Sequence, residues 1–299
     1  MGKLKEHLSK KIPDWRYNYR QLLDEKGDQV TSTVTINTAY SGMKGVKGMI
    51  CDTSSVTADA GLHVRGKHIL DLVDLKPEEI LYLLLIGELP NEEELLDLQH
   101  ELKERSVVPD YVWKVLSGMP KDSHPMAMFN TAILSMQKES KFAEAYDLVV
   151  SKGDYWESTL EDGLNIIAKL PAIGAAVYRL RFEKGDRLEA GDSVDWSENF
   201  LQMMGLDYSN DMLKMMQLYL MLHCDHEGGN VSTFSALTVN SALSDPYYSL
   251  SAGLNGLAGP LHGLANQNNL KFVLDIIEHY NGVPSDAVSY THLTLPTRS

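Results

Sequence analysis

The chain has 299 residues, 43% hydrophobic and 23% charged, with 41 acidic against 27 basic side chains and a formal net charge of −14. That length suits one large domain or two smaller ones, and the acidic surplus argues against nucleic acid or an anionic membrane surface as the main partner. Cys51 and Cys224, the two cysteines, make no disulfide framework and point to a reducing compartment; no apolar run reaches the ~18 residues needed to span a bilayer.

The N-terminal stretch MGKLKEHLSKKIPDWRYNYR is basic, but Glu6, Asp14 and a single serine set it apart from a transit peptide. Residues 4–26 predict one or two helices interrupted at Pro13. Residues 31–37 (TSTVTIN) alternate apolar and β-branched side chains and predict a strand. Residues 40–65, rich in Gly, Ser, Thr and Asp, predict turns with short strands. The basic loop Lys44-Gly45-Val46-Lys47-Gly48 within them is a weak signal for phosphate, solvated lysines being the ordinary reading.

From Leu75 onward the patterns are helical. LKPEEILYLLLIG (75–87) opens on Pro77, Glu78 and Glu79, residues suited to a first turn, and its apolar run predicts a buried helix. Asn91 caps the next, ahead of Glu92, Glu93 and Glu94, with Leu95, Leu98 and Leu102 inward. Asp110 is expected to cap a helix through Val112, Val115, Leu116 and Met119. Pro125 opens another with Met126, Phe129, Ile133 and Met136 inward, the methionines reading as core filler. Residues 156–182 carry a long helical period with Pro171 inside it, which predicts a kink or a break. Beyond it, Ala172, Gly174, Ala175 and Ala176 would let a second helix approach closely, within the subunit or across a dimer.

The chemistry concentrates in residues 223–264. Met212, Met215, Met216, Tyr219, Leu222 and His226 fall at i, i+3, i+4 spacing and predict a helix over 211–227, ended by Gly228-Gly229 in left-handed conformation. His226 would then sit in the last turn, where the carbonyl end favours a protonated ring. Ser244 or Asp245 caps a helix from Pro246 that contains Gly253, Gly256 and Gly259. Exposed helical glycines cost ~1 kcal/mol each relative to alanine, so this helix is expected to be buried and tightly surrounded. Pro260 predicts the start of a helix over 260–280, with His262 in its first turn, where free N–H groups favour the neutral ring. Such a pair offers a cation for a substrate carboxylate and a neutral N–H donor for an oxygen that gains charge. Two helix-capping histidines are the ordinary alternative. His223 and His226, with Cys224 and Asp225 between them, would make at most half a zinc or iron site; no second ligand pair at metal spacing follows, and no metal is expected.

HCDHEGGNVS (223–232), SALSDPY (241–247) and NGLAGPLHGLANQ (255–267) together resemble the citrate synthases of the eukaryotic, mitochondrial type. The likeness runs upstream through SGMKGVKG (41–48), GLHVRG (61–66), HPM (124–126), FAEAYD (142–147), YWESTLED (155–162), IAKLP (167–171) and DWSENF (195–200). It covers about residues 3–283 in unbroken order. What the resemblance implies is a mainly α fold, a multi-helical large domain with a short N-terminal β element. That domain would occupy residues 1–262 without its C-terminal helices, followed by the start of a mostly missing smaller domain over 263–287. Residues 288–299 read as a non-native, vector-derived tail.

The resemblance also implies an activity: condensation of acetyl-CoA with oxaloacetate and water to citrate and CoA, by a homodimer in the mitochondrial matrix, with no cofactor. His262 matches the histidine that hydrogen-bonds the thioester oxygen, His226 one that binds oxaloacetate, and Ser232 a residue that orients the catalytic imidazole. Leu261, Gly263 and Ala265 fall where backbone meets the CoA moiety. The family's carboxylate base, its second substrate histidine and its oxaloacetate-binding arginines are expected beyond residue 299. The chain by itself is therefore expected to be inactive, with core faces around Leu218 and Ile166 uncovered. Val64, where the family usually has an aromatic, and TFSAL (233–237), where it usually has AHTSH, keep open a related enzyme such as 2-methylcitrate synthase. A non-catalytic helical scaffold of the same fold is the remaining alternative.

Overall fold

The computed structural model describes residues 2–42, Val46 and 48–283; the tail 288–299 and most of the loop 44–48 lie outside the described residues. The chain opens with a single helix, α1 (Lys3–Lys26), which runs through Pro13 without interruption and buries Leu4 and Leu8. Residues 31–37 do not form the predicted strand. β-Propensity needs a partner strand, and here the Thr35 hydroxyl instead accepts from Thr38 N at 3.1 Å and caps a short helix, α2 (Ile36–Tyr40).

The strands lie within the Gly- and Ser-rich stretch that follows. β1 (Ser54–Thr57), β2 (Gly61–Val64) and β3 (Lys67–His68) make an antiparallel sheet in the order β1-β2-β3, so β1 is an edge. Arg65 and Gly66 join β2 to β3 with φ of +47° and +78°, the paired left-handed residues of a two-residue hairpin. The Arg65 guanidinium ties this hairpin to the next helix through two bonds to Leu84 O, at 2.9 and 2.6 Å.

Six helices then build the frame: α3 (Pro77–Ile86), α4 (Glu92–Arg105), α5 (Asp110–Ser117), α6 (Pro125–Ser135), α7 (Lys141–Asp147) and α8 (Tyr155–Arg181). Their starts follow local chemistry. Asn91 Oδ1 accepts from Glu94 N while the Glu94 carboxylate accepts from Asn91 N, a reciprocal capping box. Asp110 is not a cap as predicted: Pro109 holds that position and Asp110 is the first helical residue. The 27-residue α8 is the common spine. Its first half packs with α1, α3 and α4 around Leu98, Leu102 and Leu164; its second half packs with α5 and α6 around Met128, Ile133 and Ile173. Each such fully buried apolar side chain contributes roughly 1.5–3 kcal/mol.

The predicted break at Pro171 does not occur. Proline has no N–H to give the Ile167 carbonyl, and the indole of Trp196 donates to that carbonyl instead, at 3.0 Å. Trp196 opens α9 (Trp196–Met204), which lies against α8. A Cβ on Gly174 would come within 3.3 Å of Phe200 and 3.8 Å of Phe129, so the small residues of α8 serve contacts inside this chain. Ile166 is buried at 3% exposure, contrary to the uncovered face expected there, because α5 and α6 already cover it. Leu218 is half-buried on a smaller cluster beneath the sheet.

The remaining helices are α10 (Asn210–Leu222), α11 (Val231–Asn240), α12 (Pro246–Leu257) and α13 (Leu264–His279). The glycines of α12 do what the sequence predicts. A Cβ at Gly253 would sit 3.0 Å from Ser232 O, and one at Gly256 2.9 Å from Val231 Cγ1, so α11 and α12 touch nearly backbone to backbone. No helix among the described residues is long and apolar enough to cross a membrane.

Candidate active site

The helix expected over 211–227 stops at Leu222. Side chains just past its end bond its last carbonyls: His223 Nδ1 lies 2.6 Å from Tyr219 O, and the Cys224 thiol donates to Leu220 O at 3.2 Å. His226 is therefore off the helix, exposed on an irregular loop over 224–230, and not in a last helical turn as predicted. The left-handed residue in this loop is Glu227, with φ +55°, not Gly228 or Gly229. Gly228 is small for another reason: a Cβ there would lie 3.3 Å from Cys51 Cβ and 3.7 Å from Met49 Cβ.

Two sets of bonds hold the loop. From the sheet side, Glu227 N donates to Ser54 Oγ and the Glu227 carboxylate accepts from Val56 N, each at 2.7 Å. From the helix side, Asn230 Nδ2 donates to His226 O, Glu227 O and Thr233 Oγ1, at 3.2, 3.1 and 2.9 Å. Asn230 Oδ1 accepts from Thr233 N at 3.0 Å and caps α11. That helix has no strong signal in the sequence, since VSTFSALTVN is rich in β-branched and hydroxyl side chains. Asparagine ahead of it was the one clue, and packing against α12 supplies the rest.

Ser232 projects from the first turn of α11 towards the segment after α12. Its hydroxyl oxygen lies 2.8 Å from His262 Nε2, a pairing thirty residues apart in sequence. α12 is itself anchored: Asp245, buried at 4% exposure, caps it through Tyr247 N and Tyr248 N and accepts from Gln137 Nε2 at 2.7 Å. Pro260 does not open a helix as predicted. Gly263 N folds back to Leu257 O at 3.1 Å to close α12, and a Cβ on Gly263 would collide with that carbonyl. The chain is free to start α13 only at Leu264, so His262 stands half-buried in a tight turn two residues ahead of a helix N-terminus. Leu261 is 95% exposed, Ala265 is exposed and Gly263 half-buried, all beside the imidazole in sequence.

The structure thus joins Ser232 to His262 directly and links His226 to them through Asn230 and α11. No hydrogen bond joins His226 to His262 among the described residues. Ser54, Val56 and Glu227 were not singled out in the sequence, because they meet across 171 to 173 positions. Burial, with the charges of Asp225 and Glu78 adding, pushes the Cys224 thiol up to about 12, which disfavours its thiolate. Among the described residues no three His, Cys, Asp or Glu side chains are grouped as metal ligands. Two clefts, of about 410 and 450 Å³, lie around Trp113, Arg187 and Glu189 and are lined by none of His226, Ser232 and His262.

Set beside known proteins, residues 42–295 match the family model described as "Citrate synthase, C-terminal domain". The chain is 39% identical over 289 residues to the mitochondrial citrate synthase of Saccharomyces cerevisiae, covering 93% of this chain and 60% of that protein. It is 41% identical over 288 residues to the peroxisomal citrate synthase of the same yeast, covering 93% and 62%. Among solved structures it resembles citrate synthase from Pyrobaculum aerophilum, with a TM-score of 0.74 and 30% identity over 83% of this chain and 63% of that one. It also resembles the citrate synthase of Thermoplasma acidophilum in ternary complex with carboxymethyl coenzyme A and oxaloacetate, with a TM-score of 0.66 and 26% identity over 78% and 58%. The chain spans about 60% of the length of the curated relatives it matches.

Proposed function

The chain belongs to the citrate synthase family, and from that premise we propose that its protein joins acetyl-CoA to oxaloacetate and releases citrate and CoA. The observation that carries the proposal is the 2.8 Å pairing of Ser232 Oγ with His262 Nε2. A hydroxyl donating to Nε2 leaves the ring proton on Nδ1, so the imidazole presents an N–H to the thioester oxygen. Charge builds on that oxygen as the acetyl methyl group loses a proton, and a pre-placed donor stabilises it there. The enolate carbon then attacks the ketone of oxaloacetate, and water cleaves the resulting thioester to give citrate, CoA and a proton. His226, exposed on the loop that leads into α11, binds oxaloacetate. Leu261, Gly263 and Ala265 offer the backbone on which CoA lies, and the exposure of Leu261 suits a surface that a large substrate covers. The proton acceptor and the cations for oxaloacetate's carboxylates are not assigned to any described residue.

The Thermoplasma enzyme holds a CoA analogue and oxaloacetate together, which supports both substrates here. We also propose a homodimer, supported by large apolar side chains left exposed, such as Met215, Tyr219 and Leu222 on α10. The mitochondrial matrix is the proposed compartment, on the strength of several mitochondrial relatives at 38 to 39% identity, beside a peroxisomal one at 41%. The test is CoA release by the full-length protein. CoA should appear only when acetyl-CoA and oxaloacetate are both present, with citrate in equal amount. Release that ignores oxaloacetate, or none at all, would refute the proposal.

A further inference from the structure

We propose that Glu227, gripped by Ser54 and Val56 of the edge strand β1, is a positioning residue that sets where His226 meets oxaloacetate; the inference rests on the role of His226 given above. The His226 imidazole makes no hydrogen bond of its own among the described residues, so its place depends on the backbone that carries it. That backbone is unusual. Glu227 stands at φ +55°, a region disfavoured for any residue with a Cβ, although two glycines follow immediately. A glycine at 227 would relieve the backbone, yet it could not accept the Val56 N–H.

The carboxylate bond satisfies an outward N–H of an edge strand that no other strand pairs. The Ser54 hydroxyl, on a residue only 7% exposed, accepts the Glu227 N–H itself. Together the two 2.7 Å bonds hold Glu227 and the peptide joining it to His226 against the sheet, and Asn230 Nδ2 donates to the carbonyl of that peptide and to the next one. Gly228, pressed on Cys51 and Met49, leaves the loop no room to settle deeper. The strain at Glu227 is thus held by contacts whose joint effect is to aim one exposed histidine.

The experiment separates aiming from mere folding. In the full-length protein, Glu227→Gly removes the carboxylate grip and relaxes the left-handed backbone. It should raise the oxaloacetate KM by about 10–100-fold, the range for a lost charge-assisted bond that misplaces a binding group. The acetyl-CoA KM should stay near wild type, and the melting temperature should not fall. Glu227→Gln, which keeps the acceptor for Val56 N, should recover most of the affinity; Ser54→Ala should lose it. A wild-type oxaloacetate KM in Glu227→Gly, or a loss that tracks a falling melting temperature across the set, would overturn the proposal. If the unaltered protein releases no CoA, the citrate-forming reading fails by itself. The positioning role is then decided by the His226 ring resonance in a ¹H–¹³C spectrum. A displacement in Glu227→Gly that Glu227→Gln restores, with His262 unmoved, supports it; an unmoved His226 resonance overturns it.

Discussion

Pro171 in α8 and Glu227 in the 224–230 loop are both residues that their backbone disfavours, and the molecule uses them in opposite ways. At Pro171 the defect is a missing donor inside a buried spine, and the Trp196 indole supplies it so that α8 stays continuous. At Glu227 the defect is a left-handed turn on the surface, and β1 supplies two partners so that the chain stays out of a helix. The first repair serves the buried helical frame. The second serves a histidine left open to solvent. Frame and site should therefore fail differently when altered: the frame through stability, the site through turnover.

The largest expected effect tests the site. His262→Ala in the full-length protein should lower kcat by on the order of 10²–10⁴, as for loss of an oxyanion donor or acid–base group. Its melting temperature should hardly change, since the ring is half-buried with Ser232 as its hydrogen-bond partner among the described residues. Turnover near wild type would return His262 to a structural role. Its counterpart in the frame is Ile173→Ala. The side chain is fully buried on α8, so denaturant titration should show about 2–5 kcal/mol of lost stability, with turnover per folded molecule intact.

A finer test concerns the repair of α8. Trp196→Phe keeps the aromatic bulk but leaves the Ile167 carbonyl without its donor, a loss of about 1–3 kcal/mol. Adding Pro171→Ala restores a backbone N–H to that carbonyl and should return much of the loss. A double variant no more stable than Trp196→Phe would break the account of how α8 crosses its proline.

The smallest effect is a pH dependence. Burial pushes the Glu78 carboxyl above its ordinary range, with the Asp195 charge adding, against the pull of bonds from Trp196 N and Gln99. A raised folded-state value means that stability from this group is present below the unfolded carboxylate value and lost as pH rises through the folded one. Glu78→Gln should flatten that part of the stability–pH curve, read by thermal melts from acid to neutral pH. An unchanged curve would show that the Glu78 carboxyl titrates alike in the folded and unfolded chain, against the raised value.

What the sequence discloses divides along the same line. The frame is written locally: Pro77 with Glu78 and Glu79, or Asn91 with Glu94, mark helix starts through neighbours three residues away. Residues 31–37 misled because β-propensity says nothing about whether a partner strand exists. The period over 211–227 misled because His223 and Cys224 bond the last carbonyls and stop the helix early. Pro171 misled because its compensation comes from Trp196, beyond any helical window. In the site, the motif residues His226, Ser232 and His262 stand out, but Ser54 and Glu227 meet across 173 positions and leave no periodic trace.

The most direct test of the central claim, that Ser232 orients His262 for the chemical step, is kcat of Ser232→Ala with both substrates saturating. Loss of the 2.8 Å bond frees the ring to take the wrong tautomer or tilt, and kcat should fall by about 10–100-fold, with Ser232→Thr recovering part of it. A Ser232→Ala enzyme that turns over at the wild-type rate would contradict the account.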